Sequence, residues 1–147
     1  MRKTMIMAVI ALMALISCSV DNDDVKTDNY RSLIANTHWQ LSEILDPNNR
    51  WMSPVDYPML DIPELWYGAE NSYNMKIAEG ENHSYASSVS GYYSFDNGSI
   101  NMTDDRYQGI AYSLKIQSLD EQLLEGVLTF WRETTPKFYT IRLKRKK

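Results

Sequence analysis

The chain is 147 residues long, with 15 basic and 19 acidic residues, a formal net charge of −4, and 44% of its residues hydrophobic. That balance excludes a protein that grips nucleic acid by bulk positive charge. The length suits one domain with a real core, and a single cysteine, Cys18, excludes an intramolecular disulfide framework.

The first eighteen residues read as a processing segment. Arg2 and Lys3 form a basic head, and residues 5–16 form an apolar run. That run is well short of the roughly 20 residues a membrane-spanning helix needs. Leu15, Ile16, Ser17 and Cys18 follow in the order of a bacterial lipobox: branched apolar, tolerant, small, cysteine. Small Ser17 gives a signal peptidase access to the bond before Cys18, whose thiol can carry a diacylglyceryl thioether and hence fatty acyl chains such as palmitate. Residues 1–17 are therefore expected to be a lipoprotein signal peptide and Cys18 the lipid-attachment site. The protein is expected to be anchored in the bacterial cell envelope, at the outer membrane. Without residues 1–17, 13 basic and 19 acidic residues remain over 130 positions, a net charge of −6. Residues 18–26 are polar, with Asp21, Asp23 and Asp24, and read as a flexible tether.

The folded domain is expected over residues 27–147. Residues 27–35 suit a short helix, with Thr27 or Asp28 as cap, Tyr30, Leu33 and Ile34 on one face, and Asn36 as stop. From Thr37 the period changes to two. Trp39, Leu41, Glu43 and Leu45 share one face, as do Tyr73, Met75 and Ile77, and Tyr85, Val89, Tyr93 and Phe95. Ile100 and Met102 follow, and the cleanest alternation is Ile110, Tyr112, Leu114 and Ile116. Leu124, Leu128 and Phe130 continue the pattern, and residues 138–144 form the last strand. Asn97 and Gly98 mark a tight hairpin turn. Seven or eight short antiparallel strands imply a barrel or a sandwich. Gly91 and Gly126, inside strand patterns, suit bends where a sheet curls to close. Residues 46–64 hold four of the five prolines together with Trp51, Met52, Tyr57, Met59 and Leu60. They read as one long loop at which function concentrates.

This order of elements resembles the lipocalins, and most closely the small lipocalin-like lipoproteins of bacteria. Asn36, Thr37, His38 and Trp39 are similar to the family's first-strand motif, with Thr37 where the motif has glycine. Residues 91–98 resemble its middle hairpin, and residues 141–145 its closing strand. The resemblance implies an all-β, antiparallel up-and-down β-barrel of about eight strands preceded by a short N-terminal helix. It further implies that Trp39 packs at the closed end under Arg142.

Nothing in the sequence assembles a catalytic site, so the protein is not expected to be an enzyme, and no cofactor or metal is expected. His38 and His83 are isolated, with no free cysteine beside them. Asp104 and Asp105 lack the pattern of a calcium loop and read as a turn, while Glu79 and Glu81 flank another turn. Two binding classes remain. In one, the barrel carries a small apolar ligand under a lid formed by the proline-rich loop. In the other, the barrel is filled by its own side chains and its surface docks an envelope protein or a glycan. Trp51, Met52, Tyr57, Met59 and Trp66 are the candidate contacts in either case, because loops and exposed aromatics favour recognition. Tyr93, Phe95, Tyr112 and Phe130 are expected in the core.

Overall fold

The computed structural model describes the backbone of residues 22–147 and the side chains from residue 27 onward. The expected signal segment 1–17, the expected lipid site Cys18 and residues 19–21 lie outside the described residues. Helix α1 spans Asn22–Ile34. It starts five residues before Thr27, so residues 22–26, expected as tether, are helical. It stops where expected: Ala35 N–H donates to Arg31 O (3.0 Å), and Asn36 then adopts a left-handed φ of 58°.

Nine strands follow: β1 (Thr37–Leu45), β2 (Trp51–Met52), β3 (Leu60–Tyr67), β4 (Ser72–Glu79), β5 (Tyr85–Asp96), β6 (Ser99–Thr103), β7 (Ile110–Leu119), β8 (Leu123–Phe130) and β9 (Lys137–Lys146). From β3 to β9 each strand pairs antiparallel with the next, and β9 returns to pair with β1 along its length, Ile44 opposite Ile141 and His38 opposite Lys146. β2 and β3 share one place in the circuit. β3 lies beside the first half of β1 (Thr37 opposite Tyr67) and β2 beside the second half (Ile44 opposite Met52). The result is an all-β, antiparallel up-and-down barrel of eight strand positions with a short helix before it.

The proline-rich stretch is therefore not one loop. Leu60 and Ile62 are fully buried on β3, inside the segment expected to be loop. Pro63 sits where the β3–β4 register slips, between Asp61 and Glu64. A bulge leaves one residue unpaired, so proline's missing N–H breaks no ladder bond there. Gly126 answers a second slip. The β7–β8 register shifts between Ile116 and Ser118, and a Cβ on Gly126 would lie 2.4 Å from the Lys115 carbonyl oxygen. Asn97 and Gly98 make the expected hairpin, both at positive φ.

The barrel has two unlike ends. One carries α1 and the short turns 68–71, 97–98 and 120–122. There Ile34 is buried, Arg31 lies over the Phe95 ring, and Tyr67, Tyr93 and Phe95 pack edge to face. The other end carries the longer connections 46–59, 80–84, 104–109 and 131–136 and is the mouth.

Candidate functional site

The interior decides what kind of site is possible. Trp39, Tyr67, Met75, Ile100, Met102 and Leu114 expose 0% of their surface, and Leu41, Tyr73 and Tyr93 no more than 4%. A void large enough for a ligand would leave accessible surface on its walls. These side chains fill the barrel instead, even to the Tyr67 hydroxyl, which reaches Met102 Sδ at 3.6 Å.

Trp39 is fully buried, but it does not meet Arg142. Its indole N–H donates to Thr37 Oγ1 (2.7 Å), and the Thr37 hydroxyl donates in turn to the Ile34 carbonyl at the end of α1. Threonine in the motif's glycine position thus ties helix to tryptophan. Arg142 alternates outward on β9, between inward Ile141 and Leu143. Its guanidinium stacks 3.8 Å from the centroid of Trp51 and bonds Glu125 (2.8 Å) and Glu43 (3.2 Å). The Trp39–Arg142 pair is therefore corrected to a Trp51–Arg142 pair on the outer wall.

The five candidate contacts do not converge. Trp51 and Met52 form β2 on the barrel wall. Tyr57 is partly buried against the core and Met59 is exposed, both at the mouth. The carbonyls of Pro58 and Met59 accept from His83 N–H and Gly80 N–H (3.1 Å each), which ties the 53–59 loop to the 80–84 turn. Trp66 lies on the outer face of β3, edge-on to His38 at 5.6 Å, beside the helix-bearing end. A groove of about 350 Å³ on the β4–β5 wall, lined by Pro63, Lys76, Ala78, Ala86 and Ser88, is separate from all five.

What converges at the mouth is a set the sequence did not disclose. Asp104, read as a turn residue, has a side chain only 1% exposed. It accepts from Arg106 backbone N–H (3.0 Å), Arg106 Nε and Nη2 (3.1 Å each), and Arg132 Nη1. Burial pushes its carboxyl up, but the Arg106 hydrogen bonds and the charges of both arginines outweigh that and hold it below its ordinary value. The Arg132 guanidinium lies 5.0 Å from the Tyr107 centroid and 5.0 Å from that of Tyr112. Tyr112 is buried, edge-on to Phe130, which is edge-on to Tyr139. Burial pushes the Tyr112 phenol up to about 12, against the opposing pull of Arg132. Its hydroxyl has no hydrogen-bond partner among the described residues. Glu79 ends β4 on the inward parity of Tyr73, Met75 and Ile77, partly buried, and burial raises its carboxyl. Around this centre the rim exposes Tyr107, Ile110, Trp131 and Phe138. Trp131 and Phe138 meet edge-on at 6.4 Å, and the Trp131 indole N–H donates to Ser113 Oγ (2.8 Å).

Among the described residues no group of histidine, cysteine and acidic side chains could hold a metal ion. The arrangement offers hydrogen bonding, a guanidinium between rings and exposed aromatic area, which is the chemistry of recognition.

No family model and no curated protein matches the chain. Among solved structures it is similar to a deswapped triple mutant of bovine odorant binding protein: 15% identity, TM-score 0.46, over 76% of this chain and 73% of that one. It is similar to the siderocalin Ex-FABP at 8% identity and TM-score 0.48, over 76% and 73%. It is also similar to bovine odorant binding protein in complex with undecanal, at 15% identity and TM-score 0.47, over 79% and 72%. The barrel assignment stands on strand order and closure.

Proposed function

We propose that this is a binding protein and not an enzyme, lipid-anchored through Cys18 in the bacterial envelope, and that it takes a small amphipathic ligand at the barrel mouth. In this reading the mouth side chains that cover the Tyr112 hydroxyl move aside on binding; the ligand's polar end then meets Tyr112, Arg132 and Glu79, and its apolar part lies along Tyr139, Tyr57 and the rim. The carrying observation is the Tyr112 hydroxyl, buried without a partner. A buried unpaired polar group costs about 1–3 kcal/mol, and a ligand that supplies its partner recovers that. The ligand stays at the mouth because the deeper barrel is full. In thermal-shift assays, fatty acids and other amphiphiles should raise the melting temperature of the protein, and Tyr112→Phe should reduce that rise. No rise across such a panel would refute the ligand reading.

A second reading is favoured by the exposed Trp131 and Phe138 pair beside Arg132. In it the rim docks an envelope protein or glycan, as aromatic and arginine-rich patches do. Trp131→Ala with Phe138→Ala should then abolish capture of that partner and leave any amphiphile-induced shift intact. Membrane attachment is tested separately. Cys18→Ser should release the protein from the membrane fraction, and retention there would refute the anchor.

A further inference from the structure

Three groups meet at the mouth with bonding capacity unspent. The Tyr112 hydroxyl is buried and unpaired. Burial pushes its phenol up to about 12, so the proton stays on at neutral pH and is available to donate. Arg132 gives Nη1 to Asp104, while its Nε and Nη2 find no acceptor among the described residues. Its guanidinium lies 5.0 Å from the Tyr112 centroid. The Glu79 carboxyl, at the end of β4, accepts no hydrogen bond from a described residue. Arg132 and Tyr112 are both donors here, so what completes them is an acceptor.

The charges decide which acceptor. Asp104 binds both Arg106 and Arg132, so two cations share one anion. Glu133 pairs with Lys137 (3.4 Å), and Asp105 is exposed, where water and salt screen it. One positive charge is left over, and Glu79 is the acid placed to cancel it. Arg132 and Glu133 face Glu79 from the connection after β8, and Lys137 and Tyr139 from β9. Tyr112 faces it from β7, and Tyr57 of the 53–59 loop lies beside Tyr139. Its strand partners on β3 and β5 are Leu60 and Tyr85, and the turn beyond it carries Glu81 and His83. Ionised, Glu79 repels an anionic head. Protonated, it leaves the spare charge on Arg132 and donates its own O–H to that head. On the mouth-binding reading above, we infer that the ligand is an amphiphile with a singly charged anionic head, a carboxylate or a phosphodiester, and that Glu79 takes up a proton from solvent as the head binds. Desolvation already raises the Glu79 carboxyl, and a bound anion raises it further.

The test uses the full-length chain with Cys18→Ser, which keeps acyl chains of its own out of the assay. Two probes share one tail: decanesulfonate, anionic at every pH used, and decanol, uncharged. By calorimetry, decanesulfonate should bind at least about tenfold more tightly at about pH 5 than at about pH 8, and decanol affinity should change less than about twofold. Titrations in two buffers of unlike ionisation enthalpy should show proton uptake with decanesulfonate and none with decanol. Glu79→Gln, whose amide donates as the protonated carboxyl does, should bind decanesulfonate without dependence on pH. Inorganic phosphate, a head without a tail, should not bind at millimolar concentration. Decanol bound with decanesulfonate excluded, a decanesulfonate affinity flat with pH, or binding without proton uptake would each overturn the inference and leave the mouth reading standing. A pH dependence that survives Glu79→Gln would place the titrating group elsewhere and overturn it too. Phosphate bound as tightly as decanesulfonate would show a plain anion site and overturn the amphiphile. If neither decyl probe binds, the mouth reading and the inference fall together.

Discussion

The Thr37 bridge between α1 and Trp39 makes a quantitative prediction. Thr37→Val keeps the shape of the side chain and removes its oxygen. The indole N–H of Trp39, on a side chain of 0% exposure, then has no acceptor, which costs about 1–3 kcal/mol. The lost bond to the Ile34 carbonyl adds about 0.5–1.5 kcal/mol. The single substitution should therefore destabilise by about 1.5–4.5 kcal/mol. Trp39→Phe removes the donor and part of the ring, at roughly 2 kcal/mol for the incompletely filled space. In the Trp39→Phe background no indole N–H remains to be orphaned, so Thr37→Val should cost only about 1 kcal/mol. The double-mutant cycle, read from urea midpoints at constant m, should give a coupling of about 1–3 kcal/mol, with the double variant more stable than additivity predicts. Additivity within about 0.5 kcal/mol would show that the bridge carries no energy, and threonine in the glycine position would need another explanation.

Asp104→Asn should destabilise by about 2–3 kcal/mol at neutral pH, because it leaves two partly exposed arginines facing a neutral, nearly buried group. The Asp104 carboxyl is held below its ordinary value, so its stabilisation is present above the unfolded pKa and is lost as pH falls through the native one. The difference between wild type and variant should shrink below about pH 4, and a difference flat with pH in urea titrations would contradict the assignment. Gly126→Ala should cost at least about 2 kcal/mol through overpacking against the Lys115 carbonyl, and a melting temperature within one degree of wild type would show that the β7–β8 bulge can shift. Arg142→Ala should red-shift the emission of Trp51, with Trp51→Phe as the reference for that signal. Its stability loss should be about 1 kcal/mol or less, since the site is half open to solvent, and an unchanged spectrum would mean the stack does not persist in solution.

The barrel was legible in the sequence because its determinants are local. Inward residues on β7 recur every second position, Asn97 and Gly98 accept a tight turn, and Asn36 ends a helix. Each can be read from a few neighbours. The departures have one physical character. β3 was hidden because Pro63 argues against a strand, and only the β4 partner reveals the bulge that tolerates it. Helix α1 begins in an acidic stretch whose composition suits solvent and whose apolar face is thin, so the pattern undercounted it.

The mouth was illegible for a stronger reason. Asp104 and Arg132 are 28 residues apart and meet because β7 and β8 bring two connections together at one end; neither loop carries a motif. The aromatic loop residues misled in the opposite sense. Trp51 lies in a proline-rich stretch and reads as exposed recognition surface, yet Arg142, on the last strand, covers it from the far end of the chain. Distant partners thus partly cover the conspicuous residue and leave the unremarkable Tyr112 hydroxyl unpaired. Strand alternation identifies which side chains enter a barrel, but barrel closure and register decide which polar groups go without a partner. The binding role proposed for this protein rests on that second, non-local fact, and the Tyr112→Phe experiment is its decisive test. Removing an unpaired buried hydroxyl should leave stability unchanged or raise it, and should weaken ligand binding. A variant that loses stability would mean the hydroxyl is already satisfied, and the mouth would lose its claim as the site.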